Sequence, residues 1–319
     1  VNTIKFVRDY KDKWGYIDVL ITASPETLLS KPDEKISIKV INSYNKDCNS
    51  DYTIVDLKEL LEDKNMIEKV KTIFWFLKNP KYSSQIIQVL KRIKNFKLEK
   101  SRTESTKWCE LMEVSQDQAL DILFKSKVIE SLKEQHKKHY IFAKEKERIC
   151  PLEMGGEGAV DFIYTLTKLL VPENIIETGV AYGWSSLAIL LAIKNHNNSK
   201  LISNDMPYIK MNNDEYVGTI ISNDLKKKWD LQRLADVKGI PLALKKFNYS
   251  IDIFHYDSDK SYTARIWASS LIWKYLNKNG IFISDDINDN LAFKHFCDSI
   301  GKTPIIFKHK CKFVGLVKK

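Results

Sequence analysis

Neither glycine pattern that cradles a phosphate occurs in this chain. A dinucleotide fold calls for G-x-G-x-x-G and a P-loop for G-x-x-x-x-G-K-[ST], and both are absent. There is no run of eighteen apolar residues, which excludes an ordinary transmembrane helix. The opening stretch, VNTIKFVRDYKDKW, lacks the apolar segment of a signal peptide. The five cysteines (Cys48, Cys109, Cys150, Cys297, Cys311) are dispersed and form no C-x-x-C pair. An odd, scattered set reads as reduced thiols, and the expectation is a cytoplasmic protein without a membrane partner. No internal repeat and no low-complexity tract is present. No nucleic-acid-binding motif accompanies the net charge of +10, which is spread as lysine over both halves. Only residues 78–100 concentrate it, and a docked acidic partner there is the lesser reading beside a solvated lysine-rich surface.

What is there is enough apolar material for a sizeable core, 44% of 319 residues. The chain divides near residue 150. Residues 1–150 hold possible strands at 16–22 and 35–43. Helical periodicity follows around 54–62, 66–77, 83–96 and 116–143, as in Ile86, Val89, Leu90 and Ile93. This mainly helical N-terminal region is expected to bind substrate or to mediate self-association. Pro151 and three glycines then punctuate the chain at CPLEMGGEG.

Residues 151–319 alternate as a doubly wound α/β domain does. Strands are expected at 174–178, 200–203, 229–234, 251–256 and 281–284, with two closing strands at 304–308 and 312–317. Helices are expected at 159–170, 185–194, 222–228, 240–246, 264–276 and 290–299. The stretch IIETGVAYGWSS (residues 175–186) is a buried strand, a tight turn with Gly179 and Gly183, and a helix start at Ser185. Open α/β sheets bind ligands at such carboxyl ends. Glu177, two residues before the first glycine, suits a ligand with hydroxyls and a cationic centre.

Polar residues end four of these strands: Glu177, Asp205, Asp257, and the pair Asp285-Asp286. In a parallel sheet they share one edge. Carboxylates gathered there repel unless a cation or hydrogen-bond donors compensate. Asp257, Asp285 and Asp286 have the oxygen chemistry that Mg²⁺ prefers. Each also has a plainer reading, as a helix or loop cap or a solvated side chain. Lys260 lies three residues after Asp257 and, beside a metal cluster, is expected to be pressed toward its neutral form and to act as a base. An exposed loop lysine is the competing reading. His255 is read as a packed histidine.

With these residues in view, the chain from about Glu153 resembles the class I S-adenosylmethionine-dependent methyltransferases, and within them the metal-dependent O-methyltransferases. The catechol O-methyltransferase type has E-x-G-x-x-x-G-x-S, matched by Glu177, Gly179, Gly183 and Ser185. The macrocin-like sugar and natural-product type has an acidic pair after strand five, matched by Asp285 and Asp286. It also has Asp-x-x-His-x-Tyr, matched from Asp257 to Tyr262 with Lys260 in place of histidine. The resemblance implies a Rossmann-like sheet of seven strands, mostly parallel, the last inverted. It implies S-adenosylmethionine bound by Glu177, Gly179, Tyr182, Gly183, Ser185 and Asp205, with Asp205 on the ribose hydroxyls and Asp236 near adenine. Tyr182 and Trp184 serve either the ligand or the core. Mg²⁺ on Asp257, Asp285 and Asp286, with Lys260 as base, completes the expected site.

The expected reaction is methyl transfer to a hydroxyl of a small molecule, a sugar or a natural product. Two rivals stand beside it. One is a methyltransferase acting on RNA or protein docked by the basic N-terminal region. The other is a non-enzymatic binding protein on the same fold.

Overall fold

The structure, a computed structural model, describes residues 96–207 and 213–319, together with Thr72, Trp75, Phe76 and Lys78–Tyr82. The strands expected at 16–22 and 35–43, and most of the helical periodicity expected at 54–62, 66–77 and 83–96, lie outside the described residues. The chain divides into two compact units, Val1–Phe74 and Trp75–Lys319, and every described strand belongs to the second.

The strands are β1 Glu113–Val114, β2 Asn174–Thr178, β3 Lys200–Asn204, β4 Trp229–Gln232, β5 Ile251–Tyr256, β6 Leu276–Ser284, β7 Ile305–His309 and β8 Lys312–Lys318. They form one 8-stranded sheet in the order β1-β7-β8-β6-β5-β2-β3-β4. β8 runs antiparallel to β6 and β7, and the other pairs are parallel. The expected sheet of seven with an inverted last strand is thus extended by one. The addition is β1, from the N-terminal region, which pairs in parallel with the edge of β7.

Alternation along the strands loads both faces. Ile175, Leu201, Ile253, Ile281 and Ile283 pack on one face with Phe162 and Leu166 of helix Val160–Leu170 and Leu187 and Leu190 of helix Trp184–Ala192. Ile176, Ile202, Phe254, Tyr256 and Phe282 pack on the other, against helices Asp236–Lys246, Tyr262–Tyr275 and Ala292–Ser299. The helix expected at 240–246 starts earlier, at Asp236. Of the one expected at 222–228, only a single turn at Lys226–Lys228 forms.

The continuous helix expected at 116–143 is three pieces. Gln116–Phe124 opens with a capping box between Ser115 and Gln118 and closes at Lys125, whose backbone is left-handed (φ 58°). Leu132–Gln135 and Lys137–Ile149 follow, separated by the non-helical backbone of His136. Leu120, Leu123, Leu132 and Ala143 are buried in the same core as helix Val160–Leu170. Cys109, Cys150, Cys297 and Cys311 are unpaired thiols. Among the described residues no helix is long and apolar enough to cross a membrane.

Candidate active site

The carboxyl ends of the central strands are levelled by one backbone pattern. The N–H of the first residue beyond each strand donates to the last carbonyl of a neighbouring strand. Gly179 donates to Asn204 O at 2.9 Å, Asp205 to Gln232 O at 3.0 Å, Asp257 to Thr178 O at 2.9 Å and Asp285 to Tyr256 O at 3.0 Å. Gly179, Asp205, Asp257 and Asp285 therefore stand in one row across β2, β3, β5 and β6. Gly179 has φ +80°, and a Cβ on it would lie 2.4 Å from Asp257 O. The turn after β2 can approach the loop after β5 only because no side chain intervenes.

Glu177 does not face the open edge. It is buried on β2 between Ser203 of β3 and His255 of β5, its register partners. Oε1 accepts from Ser185 Oγ at 2.6 Å and lies 3.4 Å from His255 Nδ1. Oε2 accepts from Ser186 Oγ at 2.5 Å and Ser203 Oγ at 2.7 Å. Burial opposes its charge, but His255 and the serine hydroxyls hold its pKa below the ordinary carboxylate value. Glu177 and Ser185 thus fix the helix start from within. Tyr182 is also turned inward: its hydroxyl donates to Leu152 O at 2.6 Å and accepts from Met154 N at 3.1 Å. Trp184 packs in the core, with Nε1 donating to Glu147 at 3.1 Å. Gly183 adopts φ +105° at the helix N-terminus.

Asp205 is buried at the end of β3. Oδ2 accepts from Val180 N at 2.7 Å and Ala181 N at 3.2 Å, so it braces the glycine turn, and Oδ1 pairs with Arg233 Nη1 at 2.6 Å. Beside it, the Gln232 amide is buried with neither Oε1 nor Nε2 hydrogen-bonded among the described residues. An orphaned buried amide is costly, and a ligand with both donors and acceptors would satisfy it.

Asp236 is the first residue of its helix, not a loop residue. It accepts from Asn204 Nδ2 at 2.8 Å and Ser258 Oγ at 2.5 Å. Burial, then the charges of Asp259 and Asp205, push its pKa up to about 7 against those two hydrogen bonds. An acid that holds its proton longer when folded makes stability fall as pH rises from its ordinary value toward the raised one. Stability should therefore decline between about pH 4 and 7, by roughly 3 kcal/mol from pH 5 upward at 1.36 kcal/mol per unit. Asp236→Asn should remove that slope and be the more stable protein at pH 8 in urea melts. Parallel pH profiles for the two proteins would rule this out.

Around Asp257 the carboxylates are already engaged. Lys260 Nζ pairs with Asp257 Oδ1 and, at 3.2 Å, with Asp286 Oδ2, which also meets Lys312 Nζ at 3.0 Å. Asp285 Oδ2 turns to His255 Nε2 at 3.5 Å. Burial opposes the charge on Lys260, but Asp257 and then Asp286 and Asp285 outweigh it, so its pKa is raised. The expected neutral lysine base depends on a metal at its side, since these carboxylates by themselves favour the charged form. Burial likewise opposes charge on His255, and Asp285 and Glu177 raise its pKa to about 10. Burial would raise Asp285, but His255, then Lys260 and Arg265, hold it low.

The expected Mg²⁺ does not fit this arrangement. Asp257 and Asp286 share an ammonium, and Asp285 faces an imidazole. Among the described residues no three carboxylate, histidine or cysteine side chains are set to hold one ion.

Several residues that shape the site carry no motif. Buried Arg265 donates to Ser284 Oγ at 2.8 Å, Asp285 O at 2.7 Å and Asp286 O at 3.0 Å. From the N-terminal side, Glu99 caps helix Tyr262–Tyr275, accepting from Tyr262 N at 2.7 Å and Thr263 N at 3.1 Å. Ser101 Oγ accepts from Leu291 N at 3.0 Å, and Ser105 Oγ reaches Ile287 O at 3.0 Å and Asn290 O at 2.9 Å. Arg265 has one sequence signal, a charged residue inside the apolar stretch YTARIWASSLIW, whereas Glu99, Ser101 and Ser105 lie in the polar stretch KLEKSRTESTK and carry none.

Residues 176–287, which contain the whole row of strand ends, match the family model of a methyltransferase domain. No curated protein matches the chain in sequence. Among solved structures, the O-methyltransferase TomG from Streptomyces achromogenes, in complex with S-adenosylmethionine, is 13% identical with a TM-score of 0.46. That match covers 65% of this chain and 99% of TomG. An O-methyltransferase from Bacillus cereus, in complex with S-adenosylhomocysteine, is 14% identical with a TM-score of 0.44, covering 66% of this chain and 100% of that one. The S-adenosylhomocysteine-bound methyltransferase PaMTH1 of Podospora anserina is 11% identical with a TM-score of 0.41, covering 60% and 98%.

Proposed function

Because residues 176–287 match the family model of a methyltransferase domain, we infer that this protein transfers a methyl group from S-adenosylmethionine to a hydroxyl of a small molecule, such as a sugar or a natural product. The observation that carries the cofactor assignment is the crevice between the ends of β2, β3 and β4. There Asp205 pairs with Arg233 beside the glycine turn, and among the described residues the buried Gln232 amide has no partner. A nucleoside with ribose hydroxyls and a base edge has the donors and acceptors this crevice needs.

Bound S-adenosylmethionine supplies an electrophilic methyl carbon on a sulfonium. The chain's own part is to hold the acceptor oxygen in line with that carbon, which supplies much of the rate. The acceptor hydroxyl is placed near Asp257, at the end of β5 next to the glycine turn. As the O–CH3 bond forms, the S–CH3 bond breaks, sulfur keeps the electron pair, and the hydroxyl proton passes to the Asp257 carboxylate. No step is routed through a metal.

Calorimetry with S-adenosylhomocysteine tests the reading. The wild type should bind it, and Asp205→Ala should lose about 2–4 kcal/mol of binding by removing charge-assisted hydrogen bonds and the brace on the turn. A folded wild type with no measurable binding would sink the assignment. Unchanged affinity in a folded Asp205→Ala would remove Asp205 from the site.

A further inference from the structure

We propose that the Lys260 ammonium occupies the place between Asp257 and Asp286 that related enzymes give to a divalent cation, so this chain excludes the metal and uses a protein cation in its stead. The proposal rests on the methyltransferase reading for its chemistry, but on geometry alone for the exclusion.

Lys260 is built into the position. Its carbonyl is held by Asn290 Nδ2 at 2.8 Å and by Arg265 Nε at 3.3 Å, so the backbone from which the side chain springs is anchored to helix Tyr262–Tyr275 and to the segment after β6. From there Nζ meets Asp257 Oδ1 and Asp286 Oδ2 together. Lys312 Nζ, at the start of the neighbouring strand β8, also reaches Asp286 Oδ2. The carbonyl oxygens of Asp285 and Asp286, which a hard cation could also have used, are taken by the Arg265 guanidinium. Each carboxylate thus already has a nitrogen partner: Asp257 and Asp286 share Lys260, Asp286 also meets Lys312, and Asp285 faces the His255 imidazole. A divalent ion entering this set would meet a balanced charge and an ammonium on the oxygens it needs.

The substitution keeps the function the metal would serve. An ammonium has three N–H donors, and two are directed at Asp257 and Asp286. The third can donate to the acceptor oxygen and stabilise the negative charge that grows on it as the methyl group is captured. Lys260 is then a catalytic residue as an electrostatic donor, while the proton goes to Asp257.

The test is Mn²⁺ alone, followed by its free-ion electron paramagnetic resonance signal, with the full-length protein. Wild-type protein should leave that signal unchanged. Lys260→Ala should diminish it, because removal of the ammonium leaves carboxylates that attract a cation, and Asp286→Asn in the Lys260→Ala background should restore it. Lys260→Gln serves as a second variant should Lys260→Ala not fold. Loss of signal with the wild type, reversed by Asp286→Asn, would overturn the proposal. So would folded Lys260→Ala or Lys260→Gln proteins that take up no Mn²⁺, since the ammonium would then not be what keeps the ion out. S-adenosylhomocysteine calorimetry on the same samples reports on the methyltransferase reading separately.

Discussion

A protein cut to residues 151–319 should not fold into a soluble, cooperative unit. The cut follows the boundary that composition suggests, at the proline and glycines after residue 149, yet the core does not respect it. Leu120, Leu123 and Leu132 are buried against helix Val160–Leu170 and β7. Each is worth about 1.5–3 kcal/mol of burial, and a domain has only about 5–15 kcal/mol in total. Losing three such side chains consumes most of that margin. The cut also strips β1 from the edge of β7 and leaves an unpaired apolar strand, which invites aggregation. It removes Glu147 from Trp184 as well, at the start of the helix that follows the glycine turn. Size-exclusion chromatography and circular dichroism melts against the full chain are the measurement. A monomeric 151–319 fragment with a sharp melt and undiminished S-adenosylhomocysteine binding would overturn this view.

Glu177→Ala is expected to be the most damaging point substitution at the strand ends. It deletes the acceptor for three serine hydroxyls and leaves His255, buried at 0% exposure, with only the more distant Asp285. Breaking a buried charge pair by removing one partner costs about 3–5 kcal/mol. The wild type should also show the pair in its pH dependence. The His255 pKa is raised to about 10, so its contribution is full below its ordinary pKa of 6.5 and is lost as pH climbs toward 10. Urea unfolding at pH 6 and pH 9 should therefore show a larger gap for the wild type than for Glu177→Ala. Glu177→Gln, which keeps an acceptor without the charge, should lose less. A loss under about 1 kcal/mol for the alanine variant would mean that the pair breaks even against its own desolvation.

The row of strand ends was legible in the sequence for a local reason. Apolar runs of strand length end in Glu177-Thr178-Gly179, Asn204-Asp205, Asp257 and Asp285-Asp286, and parallel pairing carries such ends to one edge whatever the loops do. What those side chains touch was not legible, because it depends on residues brought from elsewhere. Glu177 looks like a ligand contact until Ser203 and His255 flank it. Lys260 reads as a neutral base only if a metal is assumed, whereas Asp257 and then Asp286 by themselves favour its charge. β1 is two residues long, too short to show a period. The break at Lys125 uses a left-handed residue that is neither glycine nor asparagine, so nothing in the local sequence announced it.

The contacts of Glu99, Ser101 and Ser105 also set a timetable for synthesis. Glu99 lies 163 residues ahead of Tyr262, and Ser101 lies 190 ahead of Leu291. At about 5–20 residues per second, that segment waits roughly 10–40 s after leaving the ribosome before its partners exist. The loops that carry Lys260 and Asp286 therefore receive their outer support from a part of the chain made long before them. The order of manufacture is the reverse of the order of need: the clasp is finished first and closes only once the loops it supports have been made.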